Sequence, residues 1–297
     1  MKYIITGSLG HISLPVVKNL VGASHEVTVI SSNESKKAEI ESLGAHAAIG
    51  SVHDADFLKN TFAGSDAVYL MVPSDFSVTD YPKFQREIGD RYVEAVSAAK
   101  IKNVVLLSSI GAHMKTGAGP IDGLAYLEDK LRAVENLNVN ALRPSYFFYN
   151  LYSQAGLIKN AGITGSNFGD TDEKLVLTYT GDIAKVVTAE LLALSFTGFN
   201  ITYIASDERH PNEIAEVLGA AVNKAGTPWI TFTDEQSTEG MLGAGLNPVF
   251  AKLYTDMGKA IREGKLQEEY WKNRPEVLGE YKLKDFAKEF AVAYESL

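Results

Sequence analysis

KYIITGSLGHIS, residues Lys2 to Ser13, is the stretch whose reading decides the fold. Apolar residues run straight into Thr6 and Gly7, and a helical pattern follows from Leu14 to Val21, so a buried strand turns sharply into a helix. Glycines at positions 7 and 10 have the spacing of a dinucleotide-binding turn. Gly7 permits the tight turn, and Gly10 lets backbone N–H groups approach a pyrophosphate where unpaired amides and the helix dipole favour negative charge. The third position of that fingerprint holds Ser13 instead of glycine. The residues expected to line a cofactor here are Gly7, Ser8, Leu9, Gly10, His11 and Ile12. The alternative is an unrelated glycine turn, against which the strand before it and the helix after it weigh.

At 297 residues the chain is long enough for one large domain or two. With 45% hydrophobic residues, 22% charged residues and a net charge of −9, it lacks the basic balance that generic nucleic-acid or anionic-membrane binding requires. Cysteine is absent, which excludes disulfides, thiolate metal sites and a cysteine nucleophile. The six histidines lie scattered without metal-ligand spacing, and no metal is expected. Neither a signal-peptide pattern nor an apolar run of membrane length is present, so the expectation is a cytoplasmic protein with no membrane partner.

Glu26 to Ile30 alternate as a second strand, followed by Ser31, Ser32 and Asn33, with Lys36 and Lys37 close behind. An acidic side chain after this strand selects NAD by accepting the ribose hydroxyls, whereas small polar and basic groups leave room for a 2′-phosphate. NADP(H) is therefore expected in preference to NAD(H), through Ser32, Asn33 and Lys36. Equally, Ser32 or Asn33 can serve as the cap of a helix over Ser35 to Leu43.

A third strand (Ala47 to Gly50), a helix (Ala55 to Phe62) and a fourth strand (Ala67 to Val72) continue the alternation that produces right-handed βαβ units and a parallel sheet. Their ends, Ser51-Val52 and Val72-Pro73, fall on the same edge as the glycine turn and join the cofactor set. A helix from Gln85 to Ala99 leads to a fifth strand ending in Ser108, Ser109, Ile110 and Gly111, of which the last three are candidates for a substrate cleft or for simple caps. After a helix from Leu124 to Val134, a sixth strand closes at Arg143-Pro144. Tyr146, Phe147, Phe148, Tyr149 and Tyr152 then cluster around Asn150. Such a cluster is core, or it is the apolar wall that a hydride-transfer pocket needs, with Tyr146 and Asn150 orienting a ligand.

Taken in order, TGSLGHIS, SSN, GAHAAIGSVHDADFL, SSIGAH, the helix containing Glu128, LRPSYFFYN, YTGDIAKVV and NRPEVLGEYKLKDFAKEF resemble the NmrA-like branch of the atypical short-chain dehydrogenase/reductases, over nearly the whole chain. The resemblance implies a Rossmann-type, doubly wound parallel sheet binding NADP(H), a smaller α/β carboxyl-terminal lobe and a substrate cleft. The one internal boundary expected along the chain lies near Tyr152, with residues 1–152 as the cofactor-binding core and 153–297 as the substrate lobe and with chain crossings between them. Members of that family include reductases of quinones and of azo or triphenylmethane dyes, and proteins that bind the dinucleotide and regulate a partner. Two positions depart from the pattern: Ser32 stands where the family often has Arg, and Ser51 where it often has Asp.

Tyr126 and Lys130 lie four apart, the helical spacing by which short-chain dehydrogenases place a phenol acid beside an ammonium. Aligning Glu128 with the family's helix glutamate puts the usual lysine position near Leu124 or Ala125, so Lys130 falls too close to the helix end. No catalytic residue is assigned on this basis, and Tyr126 is retained only as a cleft candidate. Further on, GITGSNFGD breaks the alternation, Thr180 and Asp182 start a helix, and Pro211 starts another. TPWITFTDE reads as a strand, and Gln236 to Leu266 as largely helical, broken at Gly243-Ala244-Gly245 and at Pro248. In that segment Met241, Leu242, Phe250, Leu253 and Met257 form either a substrate lid or a packed helix pair. The function expected is an NADPH-dependent reductase of a small planar acceptor such as a quinone or azo compound. The alternatives are a non-catalytic NADP(H) redox sensor acting on a protein partner, and a relic fold that has lost the dinucleotide.

Overall fold

The computed structural model describes residues 1–169 and 173–296. Asp170, the last residue of GITGSNFGD, lies outside them. The amino-terminal elements alternate as the hydrophobic pattern requires: β1 (Lys2–Ile5), α1 (Ser13–Gly22), β2 (Glu26–Ser31), α2 (Lys37–Ser42), β3 (His46–Ile49), α3 (Ala55–Phe62), β4 (Ala67–Leu70), α4 (Tyr81–Ala98), β5 (Asn103–Leu107), α5 (Asp122–Arg132) and β6 (Asn138–Pro144). There follow β7 (Tyr146–Phe147), α6 (Gln154–Ala161), β8 (Thr164–Ser166), β9 (Leu175–Thr178), α7 (Thr180–Ala193), β10 (Phe199–Ile204), β11 (Asp207–Arg209) and α8 (Pro211–Ala221). The chain closes with β12 (Trp229–Thr231), α9 (Asp234–Gly243), α10 (Pro248–Arg262), α11 (Glu268–Lys272) and α12 (Leu283–Glu295).

Two compact units share these elements. The first comprises Met1–Ala112, Gly123–Arg143 and Ile183–Thr202, and the second His113–Asp122, Pro144–Asp182 and Tyr203–Leu297. In the first, a seven-stranded sheet runs in the order β10-β6-β5-β4-β1-β2-β3, and the pairs from β3 to β6 are all parallel. This is a Rossmann-type doubly wound sheet, whose strand order reverses between β1 and β4, the place where ligands bind in such sheets. β4 is buried at every position, and Leu58, Phe62, Ile88, Tyr92 and Val96 of α3 and α4 pack on the same cluster. Fully burying each such side chain contributes roughly 1.5–3 kcal/mol, before the entropy of ordering the chain is set against it.

One buried cluster of polar groups inside this unit is closely partnered. Glu128 on α5 and Arg143 on β6 are almost fully buried and form a two-pronged ion pair, Nη2 to Oε2 at 2.6 Å and Nε to Oε1 at 3.0 Å. Ser108 donates its hydroxyl to the same carboxylate at 2.5 Å, which ties the end of β5 to α5.

Several elements begin or end away from the sequence reading, each for a local reason. α4 starts at Tyr81, four residues earlier than expected, because Asp80 accepts the Lys83 N–H and Pro82 occupies the tolerated first turn. Over Ser35 to Leu43 the helix is split into a short 3-10 turn and α2, with Asn33 accepting the Ser35 N–H at 3.0 Å. The strand in TPWITFTDE stops at Thr231, since Thr233 and Gln236 form a capping box that opens α9.

The second unit carries a three-stranded sheet, β11-β9-β7, and a two-stranded sheet, β12-β8. Its helical segment breaks as read: α9 ends at Gly243, Gly245 takes φ +85°, and Asn247 caps α10 through the Val249 N–H. Asp182, in the first turn of α7, is buried and accepts the Ser206 hydroxyl at 2.8 Å.

The Glu128–Arg143 pair generates a stability prediction. Arg143→Met leaves a buried carboxylate without its counter-charge, so urea denaturation should show the variant less stable by about 3–5 kcal/mol. A loss below about 1 kcal/mol would mean that the pair carries little of this unit's stability.

Candidate functional site

The glycine turn is built by short-range constraints in the first unit. Gly7 takes φ +86°, and a Cβ there would lie 2.8 Å from Met71 Cγ and 3.0 Å from Ser13 Oγ, so only glycine fits. Ser13, at the fingerprint's third position, is buried and donates its hydroxyl to the Thr6 carbonyl at 3.0 Å. The extra side-chain atoms are thus taken in beneath the turn, where the usual glycine lets helix and strand pack closely. No side chain caps α1, and its first turn holds no acidic residue. An uncapped, carboxylate-free helix start is the backbone arrangement that takes a phosphate.

The neighbouring strand ends are stitched to this turn. Ser8 N–H donates to Ile30 O at 3.0 Å and the Ser8 hydroxyl to Ser31 Oγ at 3.0 Å, while Gly50 N–H donates to Ser31 O at 2.9 Å. On the other side, the Thr6 hydroxyl donates to Tyr69 O at 3.1 Å and accepts the Met71 N–H at 2.8 Å. The segments expected to hold a dinucleotide, Gly7 to Ile12, the end of β2, Ser51-Val52 and Val72-Pro73, therefore form one continuous edge. Leu9 and Ile12 are half-buried, whereas Gly10, His11, Ser32, Asn33 and Ser51 are exposed. Asn33 caps the turn before α2, and Lys36 pairs with Glu39 at 2.8 Å at the surface. Ser51 accepts the His53 N–H at 3.2 Å. Val52 and Val72 contribute to the core, and Pro73 is half-buried.

Of the cleft candidates in this unit, Ile110 and Gly111 are buried, Ser109 is half-buried, and Gly111 takes φ +87°. Tyr126 is engaged elsewhere: its hydroxyl donates to Asp90 Oδ1 of α4 at 2.7 Å. Lys130 lies 3.7 Å from the same carboxylate, with its Nζ 5.1 Å from the Tyr126 ring centre. The Tyr126 hydroxyl and then Asp90 raise the Lys130 ammonium above its ordinary value. The pair is a surface tie between α5 and α4.

Tyr146 and Asn150 belong to the second unit, where they line a cavity of about 450 Å³. Gln154, Phe168, Phe232, Ser237 and Tyr254 share its wall, and so do Met241 and Met257, two of the five residues read as lid or helix pair. Of the other three, Phe250 is buried at 1% exposure and packs in the interior, while Leu242 is 41% exposed. Burial, and then the neighbouring Tyr254 phenol, push the Tyr146 hydroxyl above the ordinary tyrosine value, so it remains a neutral donor. Sequence reasoning missed Gln154, Phe168 and Tyr254. Gln154 stands four residues after Asn150, a spacing that the aromatic cluster around it obscures; Phe168 sits in a segment whose pattern gave no sign of a cavity, and Tyr254 lies within the segment read as lid or helix pair, next to Leu253, without being singled out.

Comparison with known proteins agrees with this geometry. Residues 7–176 match the family described as NAD(P)H-binding. The chain is 23% identical to an NAD(P)H azoreductase of Xenophilus azovorans over 258 residues, 86% of this chain and 85% of that one. Among solved structures, an NADPH-dependent quinone oxidoreductase of Escherichia coli complexed with NADPH aligns with a TM-score of 0.77 at 17% identity, over 97% of this chain and 99% of the other. A nucleoside-diphosphate-sugar epimerase of Staphylococcus aureus aligns with a TM-score of 0.78 at 14% identity, over 97% of this chain and 100% of the other. The fold thus hosts more than one chemistry, and the structural likeness speaks for architecture alone. With the glycine turn and the family match covering the same edge of the same sheet, the chain belongs to the NAD(P)H-binding family, in keeping with its resemblance to the NmrA-like atypical short-chain dehydrogenase/reductases.

Proposed function

We propose that the chain is an NADPH-dependent reductase of a small planar acceptor such as a quinone or an azo compound. The observation that carries this reading is the uncapped start of α1 behind Gly7, the arrangement that takes a pyrophosphate. The likeness to an azoreductase and to a quinone oxidoreductase supports the acceptor class. A preference for NADP(H) is supported by Ser31 at the end of β2 and Ser32 and Asn33 just after it, none of them the carboxylate that would compete with a 2′-phosphate, and by Lys36 beyond Glu34. When bound, the cofactor supplies a hydride. The residues of the chain hold the dinucleotide along the turn and the ends of β2, β3 and β4, and Tyr146 and Asn150 offer an acceptor an aromatic face and neutral polar groups. No protein acid is required, because a reduced quinone or azo nitrogen can take its proton from water. This fits a chain whose Tyr126 and Lys130 are committed to Asp90. The reading takes the protein as cytoplasmic.

That same commitment favours a second reading, an NADP(H)-responsive binding protein that acts on a protein partner. Two measurements separate and test these ideas. Loss of NADPH absorbance across a panel of quinones and azo compounds should exceed the uncatalysed rate for at least one acceptor; background rates throughout would reject the reductase and leave the second reading. Lys36→Ala should raise the Kd for NADPH roughly five-fold, the worth of one solvent-screened charge contact, and leave that for NADH unchanged. Equal effects on the two cofactors would remove Lys36 from 2′-phosphate recognition.

A further inference from the structure

The cavity of the second unit has an unusual chemical lining: among the described residues, none of its walls contributes a carboxylate, an ammonium, a guanidinium or an imidazole. Its polar side chains are all amides and hydroxyls, among them Asn150, Gln154, Asn167, Tyr146 and Tyr254, set among the rings of Phe168 and Phe232 and the thioethers of Met241 and Met257. In a chain with a charged fraction of 22%, that composition is a property of the site and not of the surface at large.

The charged groups bonded to the wall residue Asn167 are spent on one another. Asp234 opens α9 and Arg262 closes α10, and they form a two-pronged pair at 2.8 and 3.1 Å. Asn167, a wall residue, donates its amide to Asp234 Oδ1 at 2.9 Å and to Thr255 O at 2.8 Å, and Arg262 donates to the Asn167 carbonyl. The Arg262 guanidinium, and then Asn167, hold the Asp234 carboxyl below its ordinary range. The pair is therefore fully ionised and internally compensated, and it anchors the wall without presenting a net charge to the cavity.

We infer that this cavity selects uncharged aromatic acceptors and rejects congeners carrying a fixed sulfonate or quaternary ammonium. A charged substituent placed against its inner wall would lose part of its water without gaining a counter-ion, a loss that amides and phenols replace only in part. A neutral planar ligand meets rings, methionines and hydrogen-bond donors, and the volume suits two or three fused or linked rings. This inference rests on the acceptor-binding reading above but concerns binding, so it is tested without turnover.

The test uses three azobenzenes on one scaffold: 4-(dimethylamino)azobenzene, its 4′-sulfonate and its 4′-trimethylammonium derivative. Equilibrium dialysis against the full chain without cofactor should give a Kd for the neutral dye at least thirty-fold below that of either charged dye. Met241→Arg places a cation in the wall, and it should narrow the gap for the sulfonate at least ten-fold while widening that for the ammonium. Circular dichroism of the variant serves to confirm that it folds, and Met241→Lys provides a second construction of the same cation. Comparable affinities for the three dyes, tighter binding of either charged dye, no binding of the neutral one, or a gap that neither substitution moves would each overturn the inference. A protein that binds the neutral dye selectively yet never oxidises NADPH would keep this inference and lose the reductase. One that reduces all three dyes equally would do the reverse.

Discussion

The first unit depends on one constraint: the chain must leave β1 and begin α1 within a few residues, directly above a fully buried strand. Gly7 meets it with a left-handed backbone and no Cβ, because Met71 and Ser13 already fill the space a side chain would need. Thr6 fixes the position from below. Its N–H and hydroxyl both donate to Tyr69 O, and its hydroxyl accepts the Met71 N–H, so β1 and β4 are locked at the point where the strand order reverses. The consequence is that the turn from Gly7 into α1 is held on a rigid edge. A ligand bound there would meet backbone already ordered, which lowers the ordering cost of binding.

The same economy appears at Ser13. Serine in place of the expected glycine raises the idea of a turn that no longer binds. Its hydroxyl instead turns inward to the Thr6 carbonyl and satisfies a buried acceptor. What sets the identity of the residue is the space and the free acceptor beneath it, so Ser13 weakens the case for a relic fold without adding to the site.

Much of this was legible in the sequence. Buried parallel strands are short apolar runs, and the alternation of β1 to β6 with helices of ordinary length left little choice of topology. The edge residues followed from knowing where strands end. Helix starts were less legible, since the capping of α4 by Asp80 and of α9 by Thr233 depends on side-chain geometry that the apolar periodicity does not record. Tyr126 shows the limit from the other side: a four-residue spacing made it a candidate, and only the approach of Asp90 from α4 explains what the phenol does. The cavity was half legible. Tyr146 and Asn150 stood out in an aromatic cluster, but Gln154, Phe168 and Tyr254 come from three further segments, brought together by tertiary packing that no local pattern encodes.

The proposed reductase requires a dinucleotide at the Gly7 turn. Calorimetric titration of NADPH into the wild-type chain and into Gly7→Val tests it most directly. Saturable one-site binding to the wild type is expected, with a Kd at least about ten-fold weaker in the variant, equivalent to roughly 1.4 kcal/mol, and with the variant still folded by circular dichroism. Absence of binding to the wild type, or an unchanged affinity in the folded variant, would contradict it.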